Sequence, residues 1–193
     1  MITTDDFIAD TRAWVNHAVI GLNLCPFARA VETKRQIRYV VTEAETPDAL
    51  LGSLCDEIRL LLAADPAEIE TTLLIHPHVL TDFLSYNDFL SVADAAVAEL
   101  AGEGVLQVAS FHPHYQFAGT EPDDVSNATN RSPYPTLHLL REDSITRAVD
   151  VHADTDAIFE TNIQTMESLG AAGWSELRRR WLRGSAVNRG NSG

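Results

Sequence analysis

Three short runs constrain the fold of this chain more than anything else in it: Ile37–Val41, Thr71–Ile75 and residues 105–111. Each is rich in β-branched, aromatic and leucine side chains, as strands are. The second and third are too apolar to leave either sheet face in water. Between them lie two stretches with helical periodicity. One opens at Thr46-Pro47-Asp48 and carries Leu51, Leu54, Cys55, Ile58, Leu61 and Leu62 on its apolar face. The other opens at Asp82 and repeats Phe83, Leu90, Val97 and Leu100. Strand–helix–strand–helix–strand predicts right-handed crossovers and a largely parallel sheet flanked by helices, an α/β domain of three-layer type. Thr136–Arg141 reads as a fourth strand, with the start of a helix as the alternative.

Before the first strand, residues 4–20 form an amphipathic helix, with Thr4 as its cap and Gly21 as its stop. After the fourth strand, helices are expected from about 143 to 151, from about 154 to 169 with Gly170 closing it, and from 174 to 182. The length of 193 residues fits one domain over residues 1–183, followed by a flexible tail over 184–193.

Charge excludes one class of partner. The net charge is −14, and residues 178–193 hold five arginines and no acid, which leaves −19 on the rest. So acidic a body repels a phosphate backbone, and nucleic acid is not expected to bind. Nor is a membrane: no window approaches about 20 consecutive apolar residues. The first residues lack the basic start and apolar core of a secretory signal, and two cysteines do not make a disulfide framework. The expected location is the cytoplasm.

Candidate chemistry gathers at the ends of strands. The second and third strands each stop at His-Pro-His, at His76-Pro77-His78 and His112-Pro113-His114. If those strands run parallel, their carboxyl ends point the same way, which is where open α/β sheets hold ligands. His76 and His112 would then approach each other, as a general acid–base pair or as ligands of zinc or iron. The alternative is a structural role, each ring hydrogen-bonded at a strand end. Cys25, ahead of Pro26, sits where a short helix through about residue 33 would begin. The positive end of a helix favours the thiolate, and the third catalytic candidate is therefore Cys25. Its alternative is an inert thiol in a tight turn. No His-Glu-x-x-His, Cys-x-x-Cys, dinucleotide, phosphate-loop or serine-elbow motif is present.

The loop from 112 to 135 is long and dense in polar and aromatic residues, and such loops are usually functional or disordered. Its substrate-binding candidates are Tyr115, Asn130 and Arg131. The guanidinium fork of Arg131 would select a small anionic molecule, or would pin the loop to a nearby carboxylate. In a strand, His138 faces away from Arg141; in a helix it would share a face with Glu142.

Several stretches together resemble a family of bacterial and plastid proteins catalogued as domain of unknown function 1415. They are Gly21-Leu22-Asn23-Leu24-Cys25-Pro26-Phe27-Ala28, Thr72-Leu73-Leu74-Ile75-His76-Pro77, Gln107-Val108-Ala109-Ser110-Phe111-His112-Pro113, Tyr115-Gln116-Phe117-Ala118-Gly119-Thr120 and Thr129-Asn130-Arg131-Ser132-Pro133-Tyr134-Pro135. The likeness spans roughly residues 5–177. It implies a soluble protein of about one domain, and it singles out Cys25, His76, His112, Asn130 and Arg131. It makes His78 and His114 the less typical pair, and it assigns no reaction. The expectation carried forward is an enzyme for a small anionic metabolite, with a non-catalytic ligand-binding or regulatory module as the alternative.

Overall fold

The computed structural model describes residues 2–102, 104–146 and 155–181. Helix α1 (Thr4–Trp14) starts from a capping box: the Thr3 hydroxyl accepts from the Asp6 N–H while the Asp6 carboxylate accepts from the Thr3 N–H. The cap is therefore one residue earlier than Thr4. The helix runs on into a wider π-helical turn, Val15–Ile20. Gly21 follows, and a Cβ there would lie 2.2 Å from the His17 carbonyl oxygen, so no other residue fits this turn. Asn23 adopts φ 55°, and α2 (Ala28–Thr33) comes next.

Strands β1 (Ile37–Val41), β2 (Thr71–Ile75), β3 (Leu106–Phe111) and β4 (Thr136–Arg141) make one sheet in the order β1-β2-β4-β3. Only β1 and β2 pair in parallel; β4 is antiparallel to both β2 and β3. The expected largely parallel sheet is thus corrected to a mixed one, mostly antiparallel. The reason is the connection after β3. A parallel neighbour needs a crossover, usually a long helix, to carry the chain back. Residues 112–135 hold only a 3-10 turn, Val125–Asn130, so β4 re-enters the sheet from the end at which β3 left. It slots between β2 and β3, which still point the same way.

Helices α3 (Pro47–Ala63) and α4 (Phe83–Ala101) begin at the expected caps, Thr46 and Asp82, and cover one face of the sheet. Leu74, Leu137 and Leu139 meet Leu50, Leu54, Ile58, Tyr86 and Ala93 there, all essentially without solvent exposure. Arg38 of β1 grips Glu57 of α3 through two bonds of 2.7 and 2.9 Å. The Nη2 of Arg141 donates to the carbonyls of Leu61, Ala64 and Ile69, which ties the end of α3 to the sheet.

The other face carries α1, α2 and α5 (Thr155–Arg178), the last broken at Gly170 where φ is 67°. Trp14, Leu73, Met166, Trp174 and Trp181 make a second apolar cluster on this side. A helix begins at 142, and its expected continuation to 151 lies outside the described residues, as does the expected tail over 184–193. Among the described residues no helix is long and apolar enough to cross a membrane.

Candidate functional site

The two strand-end histidines do come together, on the α3/α4 face. The Tyr86 ring stacks on His76 with centroids 5.7 Å apart and lies 5.0 Å from His112. Its hydroxyl donates to the Thr136 carbonyl at 2.9 Å and accepts from the Phe111 N–H at 3.1 Å. Thr136 and Phe111 face each other in the β3–β4 register, so the phenol stands in for a ladder hydrogen bond at the mouth of the sheet.

All three residues are fully buried. His112 Nε2 is 3.2 Å from the Leu80 carbonyl and its Nδ1 accepts from the His114 N–H at 3.0 Å, so both ring nitrogens are occupied. His76 Nδ1 lies 3.0 Å from the Val79 carbonyl, while Nε2 is buried with no partner. Burial pushes each imidazole down to about 4, and the mutual repulsion of the two rings adds to the effect at His76. At neutral pH both are uncharged.

This geometry does not fit a metal held by His76 and His112. A metal needs a free lone pair, and on His112 neither nitrogen offers one. Cys25 cannot supply the third ligand, because it lies across the sheet among the α1/α2/α5 residues. Among the described residues, no group of three or more His, Cys, Asp or Glu side chains is arranged to hold an ion.

The long loop is built from its own polar side chains. Asn127 accepts from the Phe117 N–H and the Thr120 hydroxyl and donates to the Glu121 carbonyl. Asn130 donates to the Ser110 carbonyl. Arg131 gives its Nε to the Tyr115 carbonyl at 3.1 Å and its Nη2 to the Pro122 carbonyl at 2.7 Å. Tyr115 packs between Phe83 and Phe117. Two edges of the Arg131 fork are thus spent on loop carbonyls, not on a neighbouring carboxylate.

The opposite face of the sheet is less completely filled. Alternation places Thr71, Leu73, Gln107, Ala109, Phe111, His138 and Leu140 there, under Trp14, Leu24 and Phe27. One row runs Tyr39, Leu73, His138 and Ala109 across the four strands. Alanine at the end of that row leaves space beside the imidazole. The result is an apolar cavity of about 230 Å³, with Cys25, Gln107 and His138 among its walls. The turn forced at Gly21 delivers Leu24 through Ala28 to its rim.

His138 has a defined tautomer. The Thr71 Oγ lies 2.5 Å from the Leu139 carbonyl, which can only accept, so the hydroxyl proton goes there. Its oxygen, 2.7 Å from His138 Nε2, then accepts the ring N–H. That leaves Nδ1 as an acceptor with no protein partner among the described residues. Desolvation holds this imidazole neutral too, with its pKa pushed to about 4, although part of the ring surface meets cavity space. The Gln107 amide likewise makes no hydrogen bond to another described side chain. Burial pushes the Cys25 thiol up, against the pull of the Ala28 and Phe27 N–H groups, so the short helix does not yield a thiolate at neutral pH. Cys55 is half-buried on α3, away from Cys25.

Sequence reasoning passed over this cavity because it looked to the carboxyl ends of strands, whereas Gln107 and His138 sit inside strands and Thr71 opens β2. The available signal was a polar residue, Thr71, Gln107 or His138, on the same alternation phase as Leu73, Ala109 and Leu140. A family model described as "Protein of unknown function (DUF1415)" matches residues 6–176. No curated protein and no solved structure matches the chain.

Proposed function

We propose that this chain, which belongs to the DUF1415 family, binds a small and largely apolar molecule between its sheet and the helices α1, α2 and α5. One observation carries the reading: a neutral imidazole, locked by Thr71 so that Nδ1 can only accept, lines an apolar cavity of about 230 Å³. Such an acceptor in mostly apolar walls, with the Gln107 amide as a second polar group, selects a ligand that brings a donor, a hydroxyl or ring N–H, on a largely hydrocarbon body. The aromatic walls Trp14, Phe27 and Phe111 favour a flat ring. Three of the stretches that resemble the family, around Cys25, Leu73 and Gln107, contribute to this wall. The reading is of a binding module; the buried, protonated thiol argues against nucleophilic catalysis at Cys25.

The test uses para-propylphenol and propylbenzene on the full chain, by titration calorimetry. Saturable binding of the phenol is expected, roughly fivefold tighter than that of the hydrocarbon, which is the size of one net hydrogen bond. Ala109→Leu fills the space beside His138 and should abolish both. If neither probe saturates, or if Ala109→Leu binds as well as the parent chain, the cavity is not a ligand site.

A further inference from the structure

A second, open depression adjoins the cavity. It is lined by Asn23, Pro26, Arg29, Ile158, Thr161 and Asn162, and Pro26 and Ile158 belong to both hollows. Its character differs: among the described residues no acidic side chain lines it, and Arg29 is the charged one. The Arg29 Nη2 donates to the Ile20 carbonyl at 3.2 Å, which orients the guanidinium, and Arg29 has no carboxylate partner among the described residues. Asn23, held at φ 55°, makes no side-chain hydrogen bond to another described residue, and Asn162 is anchored through its Nδ2 to the Leu24 carbonyl, with no partner for its Oδ1 among the described residues. Arg29 thus brings a positive charge, paired with no described carboxylate, to a hollow in a chain of net charge −14.

We infer that the ligand is an amphiphile: an apolar, ring-bearing body seated in the cavity and a single carboxylate held at the rim by Arg29 and Asn23. The inference rests on the reading of the cavity as a ligand site and adds the chemical class. A dry apolar cavity of about 150 Å³ takes up benzene, so one of about 230 Å³ holds a body roughly half again as large. Pro26 and Ile158, shared by both hollows, are the place where a short linker would pass from body to carboxylate. The guanidinium offers the fork geometry that a carboxylate accepts and an alcohol cannot match. The rest of the chain works against such a ligand, since its net negative charge repels anions in general. A preference for the acid over its neutral counterpart therefore reports the local site and not the bulk charge.

The experiment compares para-hydroxyphenylpropanoate with para-propylphenol, two probes with the same ring, hydroxyl and chain length. Calorimetry on the full chain at low salt should show the carboxylate binding at least fivefold tighter. Acetate should not bind. Arg29→Gln should erase the advantage while leaving the affinity for para-propylphenol unchanged, and Arg29→Lys should restore part of it. If the phenol binds and the carboxylate binds no tighter, the amphiphile is refuted while the cavity reading stands. If neither binds, both fall. If Arg29→Gln keeps the full advantage, the carboxylate is held elsewhere and the assignment to Arg29 is overturned.

Discussion

The two faces of the sheet each present histidine, and they use it in opposite ways. On the α3/α4 face His76 and His112 sit against Tyr86, fully buried. His76 Nδ1 and His112 Nδ1 meet backbone groups of their own turns, and His112 Nε2 meets the Leu80 carbonyl in the turn after β2. On the α1/α2/α5 face His138 spends one nitrogen on Thr71 and keeps the other beside a cavity. Strand ends attract attention as ligand sites, yet here the strand-end pair is consumed in closing the turns that leave the sheet. His76 keeps an unpartnered Nε2 in sealed packing, whereas the unpartnered nitrogen of the mid-strand histidine belongs to a ring that lines open space. What separates the structural imidazole His76 from the recognition imidazole His138 is the space beside the ring, since each keeps one unspent nitrogen.

The comparison breaks most directly at Tyr86. Tyr86→Phe leaves the Phe111 N–H and the Thr136 carbonyl without their shared partner inside a dry region. Each buried polar group left unpaired costs about 1–3 kcal/mol, so a loss of about 3 kcal/mol is expected by urea denaturation. A loss below about 1 kcal/mol would mean that water reaches the ladder end, and that the histidine face is not the sealed one. Next in size is a matched pair of enlargements. Ala93 on α4 has no exposed surface and faces the packed cluster, whereas Ala109 borders the cavity. Ala93→Leu is expected to cost about 2 kcal/mol by overpacking, and Ala109→Leu less than about 1 kcal/mol, because the added methyl groups enter existing space. Equal thermal shifts for the two variants would show that the cavity collapses or that the packed face yields.

Much of this contrast is written in the sequence, though not all of it where one first looks. The caps at Thr46 and Asp82, the four strands of five or six residues, the break at Gly170 and the opposed directions of His138 and Arg141 all follow from local chemistry and period-two alternation. The strand order does not, because it depends on which neighbour β4 finds. The absence of a crossover helix between residues 111 and 136 does, in retrospect, dictate that β4 runs against β3. The site was harder to read. Cys25, Asn130 and Arg131 draw the eye as reactive or anion-binding types, but their partners are backbone groups contributed by turns whose shape no periodicity encodes. Cavities are equally silent in a sequence, since the space beside His138 exists only because β3 brings Ala109 next to it in register.

The smallest effect sharpens the comparison through pH. His76 and His112 have pKa values near 4 in the folded chain, against roughly 6.5 when unfolded. Below about pH 6.5 the unfolded chain therefore binds protons that the folded chain refuses. Stability is fully present above that pH, falls as the pH drops toward 4, and levels off below it. Each histidine contributes at most about 1.4 kcal/mol per pH unit within this window. His76→Asn keeps a donor for the Val79 carbonyl and removes the titrating ring, so urea midpoints measured from pH 7 to pH 5 should decline less steeply than in the parent chain. His138→Gln should flatten the slope by a comparable amount, because desolvation pushes that imidazole to about 4 as well. A slope that His138→Gln leaves unchanged would show that water in the cavity solvates the imidazolium there, setting the two faces apart.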